Sequence, residues 1–433
     1  MRSASAVIVL LTIAIAAGAV PASRSVPLGA TTFSDSSYAM VGGQNGTWFG
    51  PGQAPRLEKI ELANYSVTSL TPAPTEGTVW GGGWNGSQWL ISGWGEDRGP
   101  DGSNPYIFLY NGLNQILGGS VDQYQAEATW HGGDIFAASS NGNDWLLSGL
   151  GSGELSSYGD SNHMSLSLFN GNNFTDLSSK VPHQRDFILY TNAWNGEHWL
   201  IGGGYQYNGA LFSFDGNKIV DLTPKLVQAV PTFASVQSLA WNGHYWLIGG
   251  VGFLASYDGY TFTDLTSALN AVLAENLGCC SAVNTIAWDG TEWVLGGGTP
   301  IAQTSYSHAW LVKYIRGDFV DLTSELSPTA RRVIPYSSVL SIAAADGLWI
   351  IGGYLNDHGW LYEFSGTSFK NISYLVSNYT YVDWVGARLV RERPALIGRP
   401  DWLGSPESNI VVLSSEGQNG EALRLQRCWI KLF

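Results

Sequence analysis

Glu96 and Asp97 stand side by side, with Arg98 after them and Trp94 just before. Two carboxyl groups can act as acid and base on a glycosidic bond, but that chemistry needs them on different sides of the bond, several ångströms apart. Neighbours on one segment rarely reach two sides of one substrate, so the pair reads as a binding feature. Similar groups recur down the chain: Tyr158, Asp160 and His163; Tyr205 and Tyr207; Tyr306 and His308; Asp357 and His358. Flat aromatic rings mixed with short polar groups can stack on sugar rings and hydrogen-bond their hydroxyls. These residues are the candidate ligand-binding positions, and no residue is singled out as catalytic.

Other chemistries find less support. The seven histidines are scattered, with no His-x-His or His-Glu-x-x-His spacing, so no metal site is expected, and no cofactor motif is present. Cys279 and Cys280 are adjacent and Cys428 stands apart, which is neither a disulfide framework nor a zinc pattern; the adjacent pair could close a vicinal disulfide or fill a turn as small buried residues. A formal charge of -14, from 21 basic and 35 acidic residues, disfavours a nucleic-acid partner.

The elements that must hold these groups are written repeatedly. AWNGEHWLIGGG at 193–204 returns as AWNGHYWLIGGV at 240–251 and AWDGTEWVLGGG at 287–298, with variants at 83–94, 140–151 and 345–353 and an incomplete SYAMVGG at 37–43. A second phrase follows each line, such as LFSFDGNKIVDLT from Leu211 or LASYDGYTFTDLT from Leu254. Each unit is thus two hairpins, apolar on both faces of its inner strand, with no helical period. Asn-Gly and Asp-Gly favour two-residue type I′ turns. On that reading Trp194 pairs with Glu197, and Trp194 and Trp199 are diagonal neighbours on one face.

A four-stranded antiparallel unit repeated about every fifty residues describes a β-propeller blade. The all-β chain is expected to form seven such blades, or eight if the C-terminal segment makes one. A partial first blade spans 23–75, six regular blades 76–375, and an irregular closing segment 376–433. The repeated words read as structure, so function should sit where the copies differ. The largest differences fall in the links between second and third strands, which share one face with the blade-to-blade links, and the candidate residues lie there.

An apolar strand ending in Gly249-Gly250, then Tyr257 and Phe262, resembles the kelch-type blade over nearly the whole chain after residue 22. Phe174, Phe262, Phe319 and Phe369 stand where kelch blades carry Trp, and the WNG opening is foreign to that pattern; the chain looks closer to exported archaeal propellers. The resemblance implies a fold and no particular activity. The boxes of propeller sialidases and the Tyr-Cys pair of kelch-type copper oxidases have no counterpart here.

Residues 1–22 have the three-part form of a secretory signal, with one basic residue, an apolar run and small residues before Ala19 or Ala22. Asn45, Asn64, Asn85, Asn173, Asn371 and Asn378 begin Asn-x-Ser/Thr sequons, candidate glycosylation sites in an exported chain. From Gly386 the phrasing changes and basic residues concentrate, which reads either as a diverged closing blade or as a shifted reading frame. The expectation is an exported, monomeric propeller, secreted or at the cell surface, without a transmembrane helix in its mature form. It would bind a glycan or a protein on its variable face; the alternative is a secreted polysaccharide hydrolase or lyase working at the channel mouth.

Overall fold

The computed structural model describes residues 37–388 except 47–53, 71–75, 100–101, 113–114, 121–132, 153–161, 183–186, 206–207, 232, 274–281, 301–306, 327–336 and 346. Its strands form seven four-stranded antiparallel sheets, each a propeller blade. Blades 2 to 7 run in chain order from inner to outer strand, starting at Gly77–Trp84, Gly133–Ser140, Ile188–Trp194, Val236–Trp241, Ala282–Trp288 and Ser337–Ala345. Blade 1 is shared between distant parts of the chain. Tyr381–Arg388 supplies its inner strand and pairs with Tyr38–Asn45, followed outward by Ala54–Glu61 and Val67–Ser69. TYVDW is therefore the clasp that closes a seven-blade ring, and no further WNG phrase is needed after it.

The second strands are buried on both faces because each blade is sandwiched between two neighbours. Trp246–Gly250 is buried at every position. Its Trp belongs to a set, Trp89, Trp145, Trp199, Trp246, Trp293 and Trp349, all buried at the equivalent place in blades 2 to 7. In blade 1 Ala39 takes that place; the hydroxyl of Tyr38, just before it, accepts a hydrogen bond from Trp89 Nε1 (3.0 Å), as the hydroxyl of Tyr245 does from Trp293 Nε1 (3.1 Å).

The repeated turn is built differently from the type I′ reading. Trp194 lies directly opposite Trp199, with their rings in contact at 4.3 Å, so four residues, Asn195 to His198, make the turn. Asn195 Oδ1 accepts the backbone N–H of Glu197 (2.9 Å) and of His198 (2.8 Å), and Asn195 N–H donates to His198 O. The amide oxygen of Asn195 does what a backbone carbonyl does in an ordinary turn, and only Gly196 needs positive φ (104°). Asn85, Asn141, Asn170, Asp215, Asn242, Asp258 and Asp289 repeat this pattern, which explains why Asn and Asp interchange at the turn's first position. Two-residue turns with both φ positive occur elsewhere, at Arg316-Gly317 and Asn356-Asp357.

The Asp-Leu-Thr endings are also local ties. Asp221 Oδ1 accepts Thr223 N–H, and Thr223 Oγ1 accepts Leu211 N–H from the third strand of the same blade. Asp264 with Thr266, Asp321 with Thr323, Asp176 with Ser178 and Asn371 with Ser373 do the same. The Leu or Ile between them is buried in three of these five copies and half-buried in the other two, so each phrase fastens an outer strand while seating one apolar side chain.

Candidate functional site

All seven inner strands carry a register shift near their start, leaving one extra residue unpaired against the second strand. These bulged residues are Trp80, Phe136, Tyr190, Gln237, Asn284, Leu340 and Asp383. Bulges re-aim side chains, and the inner strands of a propeller surround its central channel, so the bulges set seven side chains in a ring about it. The residue before each is a buried Val, Ile or Leu: Val79, Ile135, Leu189, Val236, Val283, Val339 and Val382. The bulged residue itself differs in every blade.

The Gly-Gly of the second strand, Ser-Gly in blades 2 and 3 (Ser92-Gly93 and Ser148-Gly149), explains how the bulge is kept. A Cβ on Gly203 would strike the carbonyl oxygen of Ile188, two residues before the bulged Tyr190, and Gly43, Gly93, Gly149, Gly250, Gly297 and Gly353 meet the matching carbonyl in their own blades. The glycine before it faces the next blade. A Cβ on Gly202 would strike Val236, one on Gly249 Val283, and one on Gly352 Val382. Constant words therefore build the frame for a variable ring.

The ring is chemically divided. Trp80, Phe136 and Tyr190 form a continuous aromatic arc over blades 2 to 4, with successive centroids 5.7 Å apart. Gln237 and Asn284 form an amide arc over blades 5 and 6; Asn284 Nδ2 donates to Ser338 Oγ (2.8 Å) and Val339 O (3.1 Å) on the next inner strand. Leu340 and then Asp383 complete the circle. Asp383 is only 9% exposed, and neither of its carboxyl oxygens has a hydrogen-bond partner among the described residues. Burial holds its pKa well above the usual carboxylate range. Gln237 Oε1 is likewise buried and unpaired.

Further polar groups are buried in blade 1. Glu58 is raised by burial, against the opposing pull of Tyr379, Arg56 and Asn378. Burial also pushes the Tyr379 phenol up, and its hydroxyl donates to Val41 O (3.1 Å).

The variable face holds a second concavity, about 370 Å³, at the blade 6 and blade 7 boundary. Leu326, Leu355 and Trp360 give it an apolar wall; Asn356, His358, Tyr362, Asn371 and Ser373 give it polar groups. Asn371 Nδ2 donates to Tyr362 Oη (3.1 Å), which fixes the two side chains relative to each other. No carboxylate is among its lining residues.

Of the candidate residues, Asp357 and His358 lie in the hairpin that forms one rim of this concavity, and both are exposed. Asp357 Oδ1 accepts a hydrogen bond from Tyr381 (3.0 Å), tying the hairpin to the clasp strand; burial and this carboxylate push the Tyr381 phenol up. His308 is 9% exposed on the third strand of blade 6, and burial lowers its pKa. Trp94 is half-buried on the second strand of blade 2. Glu96, Asp97 and Arg98 continue that strand, Trp89–Gly99, where a loop is expected from sequence. His163 and Tyr205 also lie on strands, opposite Gly151 and Asn208. Tyr158, Asp160, Tyr207, Tyr306, Cys279 and Cys280 lie outside the described residues, as do 1–36 and 389–433. Among the sequon asparagines, Asn64, Asn173, Asn371 and Asn378 are exposed, while Asn45 and Asn85 are half-buried.

The channel ring escapes a reading based on loop length because it occupies one position inside a regular strand. Its signal is nonetheless in the text: the residue after the conserved-type Val, Ile or Leu is W, F, Y, Q, N, L and D in turn. Among the described residues, no group of three or more His, Cys, Asp or Glu could hold a metal ion, and no helix is long and apolar enough to cross a membrane.

No protein-family model matches the chain, and no curated protein matches it. Solved structures are similar at low identity. An acylaminoacyl peptidase of Pyrococcus horikoshii has a TM-score of 0.42 at 9% identity over 74% of this chain and 48% of that one. The β-propeller domain of the Trilobed protease from Pyrococcus furiosus gives 0.41 at 10% over 74% and 87%. TolB from Acinetobacter baumannii gives 0.42 at 9% over 82% and 67%. The chain spans about half the length of the acylaminoacyl peptidase.

Proposed function

We propose that this protein is an exported propeller, secreted or held at the cell surface, that binds a glycan through its variable face. The observation that carries the reading is the concavity of about 370 Å³ on blade 7. Trp360 and Tyr362 offer aromatic surface to a sugar ring, and Asn356, His358 and Asn371 offer donors and acceptors to its hydroxyls. The apolar wall and the volume suit one or two sugar units, and the rim hairpin is held in place by the Asp357 to Tyr381 hydrogen bond. A protein ligand bearing such a glycan would use the same face. Export belongs to the same reading: the leader-like residues 1–22 would be cleaved, which N-terminal sequencing of the mature chain checks. A place beside kelch-like exported archaeal propellers is part of this proposal as well.

A glycan array tests it, with the full chain beside a double variant, Asn356→Gly and His358→Ala. Glycine keeps the positive φ of Asn356 (50°), so the hairpin survives while the polar rim is lost. Binding by the parent and loss in the variant supports the pocket. Equal binding by both, or binding by neither, removes it.

A further inference from the structure

We propose that the central channel is a binding site for a small organic cation, a primary ammonium carrying an apolar or aromatic body, with Asp383 as its counter-ion and Trp80, Phe136 and Tyr190 as its wall. This site is separate from the blade 7 pocket and does not rest on it.

Three observations lead there. First, the repeated grammar of the blades, a Val-type residue, a bulge and a Gly against the bulged strand's carbonyl, delivers one side chain per blade to the channel, and that position changes type in every copy. A purely structural plug would have no reason to differ at each of seven equivalent positions. Second, Asp383 is nine-tenths buried and both its oxygens lack a partner among the described residues, although buried polar groups are nearly always hydrogen-bonded. Third, the ring position next to Asp383 round the circle is Trp80, which begins the aromatic arc.

The chemistry of the ring selects the sign of the ligand. None of its seven residues is Lys, Arg or His, and Asp383 Oδ1 and Oδ2 and Gln237 Oε1 are buried acceptors without a partner among the described residues. A ligand that satisfies them must donate. Aromatic faces attract a cation through their quadrupole, most strongly where water is excluded. Arg56 in blade 1 does not serve as the counter-charge, since its charge acts on Glu58 and Tyr379. A bare metal ion fits poorly, because Asp383 is the ring's single carboxylate and three of the seven positions are aromatic faces. A primary ammonium with an apolar body satisfies both halves: three N–H donors for the oxygens, and a hydrocarbon for the rings.

The burial of Asp383 adds a signature. Its carboxyl favours the protonated form while the channel holds no cation. An arriving ammonium reverses that preference, so the carboxyl gives its proton to solvent as the ion pair forms.

Isothermal titration of the full chain with phenethylamine, with 2-phenylethanol as the neutral counterpart, tests the proposal. The same titration is run in two buffers of different ionisation enthalpy. The amine is expected to bind at least about ten-fold more tightly than the alcohol, as a hydrogen-bonded charge pair requires. Asp383→Asn, which keeps the shape and folds without the buried acid, should lose about ten-fold in amine affinity and show no buffer-dependent heat. Trp80→Leu should weaken the amine by roughly three-fold or more while leaving proton release in place. Alcohol binding as tight as amine binding, unchanged affinity in Asp383→Asn, or no amine binding at millimolar concentration by a chain with a normal unfolding transition would each overturn it.

Discussion

Gly203 lies opposite Leu189 on the first two strands of blade 4, and so close to the carbonyl of the preceding Ile188 that any Cβ on Gly203 would run into it. The obstacle is backbone, so it cannot rotate away, and it is the bulge at Tyr190 that turns this carbonyl inward. Gly203→Ala should therefore cost about 3 kcal/mol, the upper end of what overpacking does. Gly216→Ala is the comparison. It sits in an open turn at φ 94°, with nothing near its missing Cβ, so only backbone strain of about 1 kcal/mol is expected. Urea unfolding of the two variants decides, and equal losses would separate the glycine from the bulge.

Asn195 makes a different kind of contribution. Its side chain closes the turn by accepting two backbone amides, and Asp215, Asp258 and Asp289 do the same job in other turns. Asn195→Asp should leave stability within about 0.5 kcal/mol, whereas Asn195→Ala should lose about 1 kcal/mol, as the loss of a capping side chain does elsewhere. The same melting experiment measures both. A loss as large for Asp as for Ala would show that the amide N–H₂, and not the oxygen, matters.

These two positions show how far the sequence could be read. The period, the hairpins and the blade follow from WNG, Gly-Gly and Asp-Leu-Thr because each word meets a local backbone need. The turn register does not, since Asn-Gly serves a two-residue turn and a side-chain-closed four-residue turn equally well, and only strand pairing distinguishes them. Glu96 to Arg98 look like loop because they are polar, yet strand Trp89–Gly99 runs through them. Polarity alone does not separate a loop from the continuation of a strand. Of the candidate face, Asp357 and His358 are brought to a pocket whose other polar groups, Tyr362 and Asn371, belong to regular strands. The channel ring was masked by the repetition around it. A bulge costs one residue in register, which hydrophobic pattern alone does not reveal.

Asp383 should make stability depend on pH in an unusual direction. Its folded-state pKa is raised, so the folded protein holds a proton that the unfolded chain releases, and stability falls as pH rises above about 4, the unfolded carboxylate value. Glu58, also raised, acts in the same sense. Arg56, Tyr379 and Tyr381 are the other ionisable groups near this pair, and burial raises both phenols, so neither ionises between pH 4 and 8. Asp383→Asn removes the larger burden, so the variant should be more stable than the parent by about 1–3 kcal/mol at pH 7.5, with the gap closing toward pH 4. Urea midpoints at the two pH values measure it. A variant less stable than the parent at pH 7.5 would mean that the carboxyl has a partner when the protein is in solution.

Val382 carries the closure of the ring. It is fully buried on the clasp strand, packs where Gly352 of blade 7 has no side chain, and stands beside the bulged Asp383. Because its strand pairs with Tyr38–Asn45, the sheet of blade 1 joins residues more than 330 positions apart, and the whole ring depends on that join. Val382→Asp would place an unpaired charge between two blades, an uncompensated burial costing about 3–5 kcal/mol. Val320→Asp changes the same residue type on an outer strand, at 43% exposure, and should stay within about 0.5 kcal/mol. The two losses of stability separate closure from composition. If opening the clasp also broadens the transition, the seven blades cooperate through this one strand, and a channel assembled from all of them should lose its ligand before any single blade unfolds.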